Sequence, residues 1–152
     1  MLFLDEFKRV IDAKQRLTIP PEVRGVLSFW EHGSAFVAAP GSKNLALYPE
    51  PLFKKIAEQI TKTQDLQTQR SIFSQSARVP MDSANRVRIP DRLLKKYALS
   101  SKVVLVGMGD HLEVFEAKRW ALKQEQFEPV TDEIWEQARQ NVDWDQMNGN
   151  ES

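Results

Sequence analysis

Two stretches of the chain alternate apolar and polar residues in the same way. Phe7 to Ile11 and Leu17 to Ile19 follow period two, the signature of strands with one buried face. Val87 and Ile89 repeat the pattern. Arg86 and Arg88 then lie on the outward face, as Arg16 and Thr18 do beside Leu17 and Ile19. Pro20 and Pro90 close these strands, because proline cannot donate to a ladder and suits the first turn of a helix. Glu22 and Asp91 match the positive end of the helix dipole there. Short helices are predicted around Val23, Val26 and Leu27, and around Leu93, Leu94, Tyr97 and Ala98. Two strands and a tight turn follow in each case. Ala35 to Ala38 and Leu45 to Tyr48 flank Pro40-Gly41-Ser42; Lys102 to Val106 and Leu112 to Phe115 flank Gly107-Met108-Gly109-Asp110. Glycine in both turns predicts positive φ. A longer helix then starts after Pro49, with Leu52, Phe53, Ile56 and Ile60 at helical spacing. Another starts after Glu116, with Ala117, Trp120 and Gln124 or Phe127.

The two patterns are copies of one unit. Asp12-Ala-Lys-Gln-Arg-Leu-Thr-Ile-Pro20 aligns with Asp82-Ser-Ala-Asn-Arg-Val-Arg-Ile-Pro90 at an offset of 70, which also pairs Phe3 with Phe73. Downstream the offset is 67: Asn44 to Tyr48 aligns with His111 to Phe115, and Phe53 with Trp120. The first copy therefore holds three extra residues, and Gly33-Ser34 is a natural place for them. The same order of elements in both copies argues for internal duplication. The expected boundaries are a first unit at 1–60, a linker and helix end at 61–72, a second unit at 73–127, and an acidic tail at 128–152. The connection from Tyr48 to Ser76 should contain a helix. In the tail, Ile134, Trp135 and Ala138 suggest a short helix, and residues 148–152 are expected to be disordered. The fold class is mainly β with short helices (α+β). One unit alone has too little core for stability, so the two should form a pseudo-symmetric pair.

Charge refines this picture. The formal net charge is zero, but residues 121–152 hold eight acids and two bases, so the body to residue 120 carries 19 bases against 13 acids. An acidic tail masks a moderately basic body, although scattered surface charge alone decides nothing. Cysteine is absent, which removes disulfides, thiolate zinc sites and thiol nucleophiles and fits a reducing compartment. The longest apolar runs, such as Val103 to Val106, are too short to span a membrane. The opening Met-Leu-Phe-Leu-Asp-Glu lacks the basic and apolar regions of a signal peptide, so a cytoplasmic location is expected.

The residues that invite chemistry are those of the duplicated Asp-x-x-x-Arg loop. Asp12 and Asp82 can accept hydrogen bonds from backbone N–H groups of their turns and so shape the loops. Arg16 and Arg86 start the next strand and point outward. Lys14, Gln15, Asn85, Thr18 and Arg88 share the loop or the strand face. Guanidinium suits phosphate and the guanine edge, Asn and Gln suit adenine, and a two-stranded ribbon fits the major groove. An Asp and an Arg four apart can equally form an ion pair that only holds the turn, and a structural turn is duplicated as readily as a functional one.

The ordered set of segments resembles the MraZ family. It comprises F-x-x-x-F at the start, D-A-K-Q-R-L-T-I-P, L-A-L-Y-P, S-I-F-S-Q-S-A, D-S-A-N-R-V-R-I-P, and V-V-L-V-G before L-E-V-F, together spanning roughly residues 1 to 125. The resemblance implies tandem AbrB-like, swapped-hairpin units in a double-split β-barrel. It implies a DNA-binding regulator that forms ring-shaped oligomers in cytoplasm and nucleoid; the function expected here is that of a homo-oligomeric repressor. It further implies recognition of promoter direct repeats ahead of division and cell-wall genes, with Arg16 and Arg86 matching the DNA-contacting positions. Two features depart from the family pattern. The loop usually has Gly before its Arg, where this chain has Gln15 and Asn85. Asn tolerates left-handed φ and Gln does so poorly, so the first loop is expected to turn differently and the second to make the stronger DNA contact. Ala84 also replaces a common Lys or Gln.

Other chemistry is poorly supplied. His32 and His111 sit on different turns without companion ligands, so no metal or other cofactor is expected. Asp12 and Asp82 have turn-capping roles and no nucleophile set, so no enzyme activity is expected. Gly107-Met108-Gly109 reads as a hairpin turn. Trp30, Trp120, Trp135 and Trp144 read as core and interface, with Trp135 or Trp144 available to cover a neighbouring subunit. The competing functions are an oligomeric protein-interaction scaffold and an antitoxin-like module.

Overall fold

A computed structural model describes residues 2–23 and 35–149. Val26, Leu27, Trp30, His32 and the Gly33-Ser34 insertion lie outside them. The residues to Ala121 form one compact unit and those from Leu122 a second.

The first unit is α+β. Its strands are β1 (Glu6–Val10), β2 (Arg16–Thr18), β3 (Ala35–Pro40), β4 (Leu45–Pro49), β5 (Ala77–Pro80), β6 (Arg86–Arg88), β7 (Lys102–Gly107) and β8 (Leu112–Glu116). Six of them form one open sheet in the order β1-β7-β8-β4-β3-β5, and β2 pairs with β6 as a separate antiparallel ribbon. Residues 21–23 are helical. The described helices of this unit are α1 (Glu50–Thr63), α2 (Leu66–Ser74), α3 (Asp91–Lys96) and α4 (Ala117–Glu125), the last running past Ala121. The connection between halves contains the expected helix and a second one after it.

The strand pairing carries the sequence repeat into three dimensions. β1 pairs with β7 and β5 pairs with β3, so each half lends its first strand to the hairpin of the other. The registers correspond: Phe7 opposite Leu105 becomes, under the two offsets, Ala77 opposite Ala38. β4 and β8 meet at the middle of the sheet, where Ala46 faces Glu113 and each is the other's repeat partner. The equivalence reaches side chains. Tyr48 and Phe53 have ring centroids 5.9 Å apart, and their counterparts Phe115 and Trp120 are 4.9 Å apart. It stops at Phe3 and Phe73. Phe3 is buried and exchanges backbone hydrogen bonds with Gly109, whereas Phe73 sits exposed on α2.

One core serves both halves. Leu17, Ile19, Phe36, Leu45 and Leu47 pack with Val87, Ile89, Leu93, Leu105, Leu112 and Val114. Val104 and Val106 face the other way, onto Trp120. Both faces of β7 are covered, which is why Val103 to Val106 reads as a continuous apolar run without alternation. The turn glycines differ in their reason for being glycine. Gly109 has φ +84°, as expected. Gly41 does not lie in the left-handed region; a Cβ there would come within 2.4 Å of the Asn44 carbonyl oxygen. Pro90 takes the cap position of α3, one residue before its first turn.

The second unit holds α5 (Asp132–Gln140) and α6 (Trp144–Gly149). Thr131 caps α5 by accepting from the Ile134 N–H, and Asp132 and Glu133 lie in its first turn, where acids suit the dipole. This is the helix expected near Ile134 to Ala138. The expected disorder from residue 148 meets a helix that runs to Gly149; residues 150–152 lie outside the description. Trp135 and Trp144 are exposed.

Candidate nucleic-acid interface

The two Asp-x-x-x-Arg loops end on one two-stranded ribbon. Leu17 and Val87 oppose each other on its underside and are completely buried, which anchors the ribbon to the core. Period two then forces Arg16, Thr18, Arg86 and Arg88 onto the outer face. Their order is set by the register: Arg16 lies opposite Arg88, and Thr18 opposite Arg86. Arg88 therefore sits at the end of the ribbon that carries loop one. It shares the chain of the second loop but not its location.

Each loop is built by its aspartate. Asp12 Oδ1 accepts from the Lys14 and Arg16 backbone N–H groups, both at 2.9 Å, and Oδ2 accepts from Arg16 Nε at 2.7 Å. Asp82 does the same for Ala84 N–H (2.9 Å), Arg86 N–H (3.0 Å) and Arg86 Nε (3.0 Å). The backbone N–H groups of Arg16 and Arg86 are the chief reason that both carboxyls are held below their ordinary range; partial desolvation opposes the shift. Each aspartate makes the turn hydrogen bonds and the ion pair to Arg at once. The ion pair uses the Nε edge of the guanidinium, so the terminal nitrogens of Arg16 and Arg86 make no hydrogen bond among the described residues.

The first loop does not turn differently from the second. Gln15 has φ +67° and Asn85 φ +61°, both left-handed. The reason is a reciprocal pair of hydrogen bonds across the halves: Ile89 N–H donates to the Gln15 carbonyl at 3.0 Å, and Ile19 N–H to the Asn85 carbonyl at 2.9 Å. Those carbonyls reach their partners only if the loop residue is left-handed, and tertiary pairing outweighs a local cost of about 1–2 kcal/mol for Gln. The Gln15 side chain contributes too, because its Nε2 donates to Asp91 Oδ1. Gln15, Arg88, Pro90 and Asp91 line a shallow depression beside the ribbon. The role of Asp91 was not legible from sequence, where it read only as a first-turn acid; it needs the cross-half register to be seen. Lys14 is exposed on the loop, and among the described residues its side chain is unpaired.

Elsewhere the chemistry is structural. His111 stacks on Tyr48 with ring centroids 4.5 Å apart, and its Nδ1 lies 2.7 Å from Asp110 Oδ1. Among the described residues no group of His, Asp and Glu is arranged to hold a metal ion, and no helix is long and apolar enough to cross a membrane.

Comparison with known proteins meets this geometry at the repeat. The chain is 30% identical to the transcriptional regulator MraZ of Heliobacterium modesticaldum, over 95% of this chain and 99% of the relative. The chain belongs to the MraZ family. The family model described as "MraZ protein, putative antitoxin-like" matches residues 72–143, which include the second loop. The transcriptional regulators MraZ of Nitrosospira multiformis and Thiobacillus denitrificans are 31% and 33% identical, over 76% and 72% of this chain and 82% and 78% of their own. These MraZ relatives are named for gene regulation.

Proposed function

We propose that the chain is a sequence-specific, DNA-binding transcriptional regulator whose β2–β6 ribbon contacts DNA. The observation that carries this reading is the ribbon's outer face. Three arginines and a threonine stand on a strand pair three residues long, pinned from below by Leu17 and Val87. Loop aspartates hold two of the arginines by one edge and leave the other edge for an acceptor. Held side chains lose less entropy on binding, which suits readout of base edges or phosphates.

In this reading Arg16, Arg86 and Arg88 contact guanine edges or phosphate, and Lys14 contacts phosphate. Gln15, Asn85 and Thr18 supply amide and hydroxyl groups, and Asp12 and Asp82 keep the loops in shape. The two halves act as AbrB-like units of a double-split barrel, divided as 1–60 and 73–127 around the 61–72 linker. Several subunits assemble as a ring, in which Trp135 or Trp144 of the 128–152 tail covers a neighbouring subunit; their exposure supports this. A ring presenting several ribbons gains affinity for spaced direct repeats through effective concentration. The expected targets are promoter repeats ahead of division and cell-wall genes, with repression as the outcome and the nucleoid as the location.

Gel shifts on the DNA upstream of the gene test the reading. The Arg16→Ala/Arg86→Ala protein, still folded and with unchanged oligomeric state, should lose binding by about 1–3 kcal/mol per base contact removed. Equal binding by that variant would remove the ribbon from the interface. The family description as antitoxin-like supports one alternative, a module whose partner is protein; binding that ignores salt and no retention on DNA would favour it.

A further inference from the structure

The ribbon looks two-fold symmetric in its backbone, and a symmetric reader of duplex DNA matches a site with two identical inverted halves. Its side chains break that symmetry. At the end of loop one, Arg16 faces Arg88 and Lys14 stands on the loop. At the other end, Arg86 faces Thr18, and the loop position matching Lys14 is Ala84. The amides differ as well. Gln15 donates its Nε2 to Asp91, so that amide is committed within the protein. The position matching Asp91 is Pro21, which has no carboxylate, and among the described residues the Asn85 amide has no hydrogen-bond partner.

We infer that the ribbon is a directional reader: one end anchors DNA by charge through Lys14, Arg16 and Arg88, and the other selects bases through Asn85, Thr18 and Arg86. Asp91 is the positioning residue that withdraws Gln15 from readout. The inference rests on the DNA reading above and adds polarity to it. Three cations share the first end, Arg16 opposite Arg88 and Lys14 on the adjoining loop, where phosphate or guanine is the natural partner. A free carboxamide and a hydroxyl stand at the second end, and a carboxamide there pairs bidentately with adenine. A single ribbon therefore has a preferred direction along the duplex, and its site has unlike halves.

Selection from a duplex library with a fully random core, using the full chain, tests this. The wild-type protein should enrich a motif with unlike halves. Asn85→Ala should lower affinity for that motif on the order of tenfold and relax base choice at one end only. Arg88→Ala should weaken the opposite end. Asp91→Ala should release Gln15 and change base preference at the Arg88 end while the Asn85 end keeps its own. A variant made symmetric by Thr18→Arg, Pro21→Asp, Ala84→Lys and Asn85→Gln should enrich a motif with two like halves. The polarity is overturned if the wild-type motif already has identical inverted halves, or if Asn85→Ala and Arg88→Ala relax the same positions. The single variants decide the matter even if the fourfold variant fails to fold. Failure of the wild type to enrich any motif would instead strike the DNA reading itself, and the polarity with it.

Discussion

Replacing Arg88 by alanine isolates the electrostatic contribution of the ribbon better than any other single change. Arg16 and Arg86 are each paired with a carboxylate 2.7 Å and 3.0 Å away, so removing either arginine also exposes an uncompensated aspartate. Among the described residues Arg88 has no such partner, and it stands exposed on the outer face. By neutralising a phosphate it simply displaces a counterion condensed on the DNA. With Lys14, Arg16, Arg86 and Arg88 all engaged, one ribbon has a log affinity against log salt slope of about −3.6. A fourfold rise in salt then weakens binding about 150-fold. Without Arg88 the slope should relax to about −2.7, and the same rise in salt should cost about 40-fold. For one ribbon Asp12 and Asp82 lower both figures by neutralising part of the field, and each further ribbon engaged adds its own slope. Fluorescence anisotropy of a labelled upstream duplex across a potassium chloride series measures the slope directly, with sedimentation confirming the same oligomer. If Arg88→Ala left both slope and affinity unchanged, the outer face of the ribbon would not be where DNA binds.

Further expectations follow from the parts beneath and beside that face. Leu17→Ala removes a completely buried side chain from under the ribbon and should cost about 2–5 kcal/mol in urea denaturation; a cost well below that range would mean the ribbon is not anchored as described. The loop aspartates have folded pKa values below their unfolded ones, so their contribution is present above the ordinary carboxylate range near about 4 and fades as pH falls through the depressed values. Amide shifts of Lys14, Arg16, Ala84 and Arg86 should report that transition, and loops that stay intact on full protonation would contradict it. Gln15→Gly relieves a left-handed side-chain residue, by about 1 kcal/mol, while losing the bond to Asp91 and loosening the unfolded chain. The net change in the urea midpoint should be small, and a loss above about 2 kcal/mol would show that the Gln15–Asp91 contact is a main support of the loop.

The parts of this fold that follow from local pattern were visible in the residues. The outward Arg16 and Arg86 follow from period two beside Leu17 and Val87, and the capping Asp12 and Asp82 follow from their place before a turn. The repeat itself needed only self-comparison. What depends on partners far along the chain was hidden. Nothing near Phe7 says that it faces Leu105, so the register of the β1 and β5 exchange between halves was not legible, although the resemblance implied swapped units. The same is true of Arg88, whose address beside loop one comes only from the β2–β6 register. Gln15 is the sharpest case. Local preference argues against a left-handed Gln, but the hydrogen bond from Ile89 and the bond to Asp91 override it. Gly41 shows the converse: the residue type was read correctly as a turn requirement, while its cause is a close carbonyl and not a torsion angle.

The exchange of first strands sets the order in which the chain can acquire structure. β1 is made long before its partner β7, which is the stretch Lys102–Gly107. The first hairpin, β3 with β4, likewise gains its outer neighbour only when β5 has been made. The amino-terminal half cannot complete its pairings while the ribosome still holds the other, so it must wait with an unpaired, partly apolar strand. Loop-closure entropy over so long a separation makes folding slow, and the waiting strand is open to the wrong partner. Another copy of this chain offers the same β7 edge, so the exchange that unites two halves of one subunit could also tie two subunits together during synthesis.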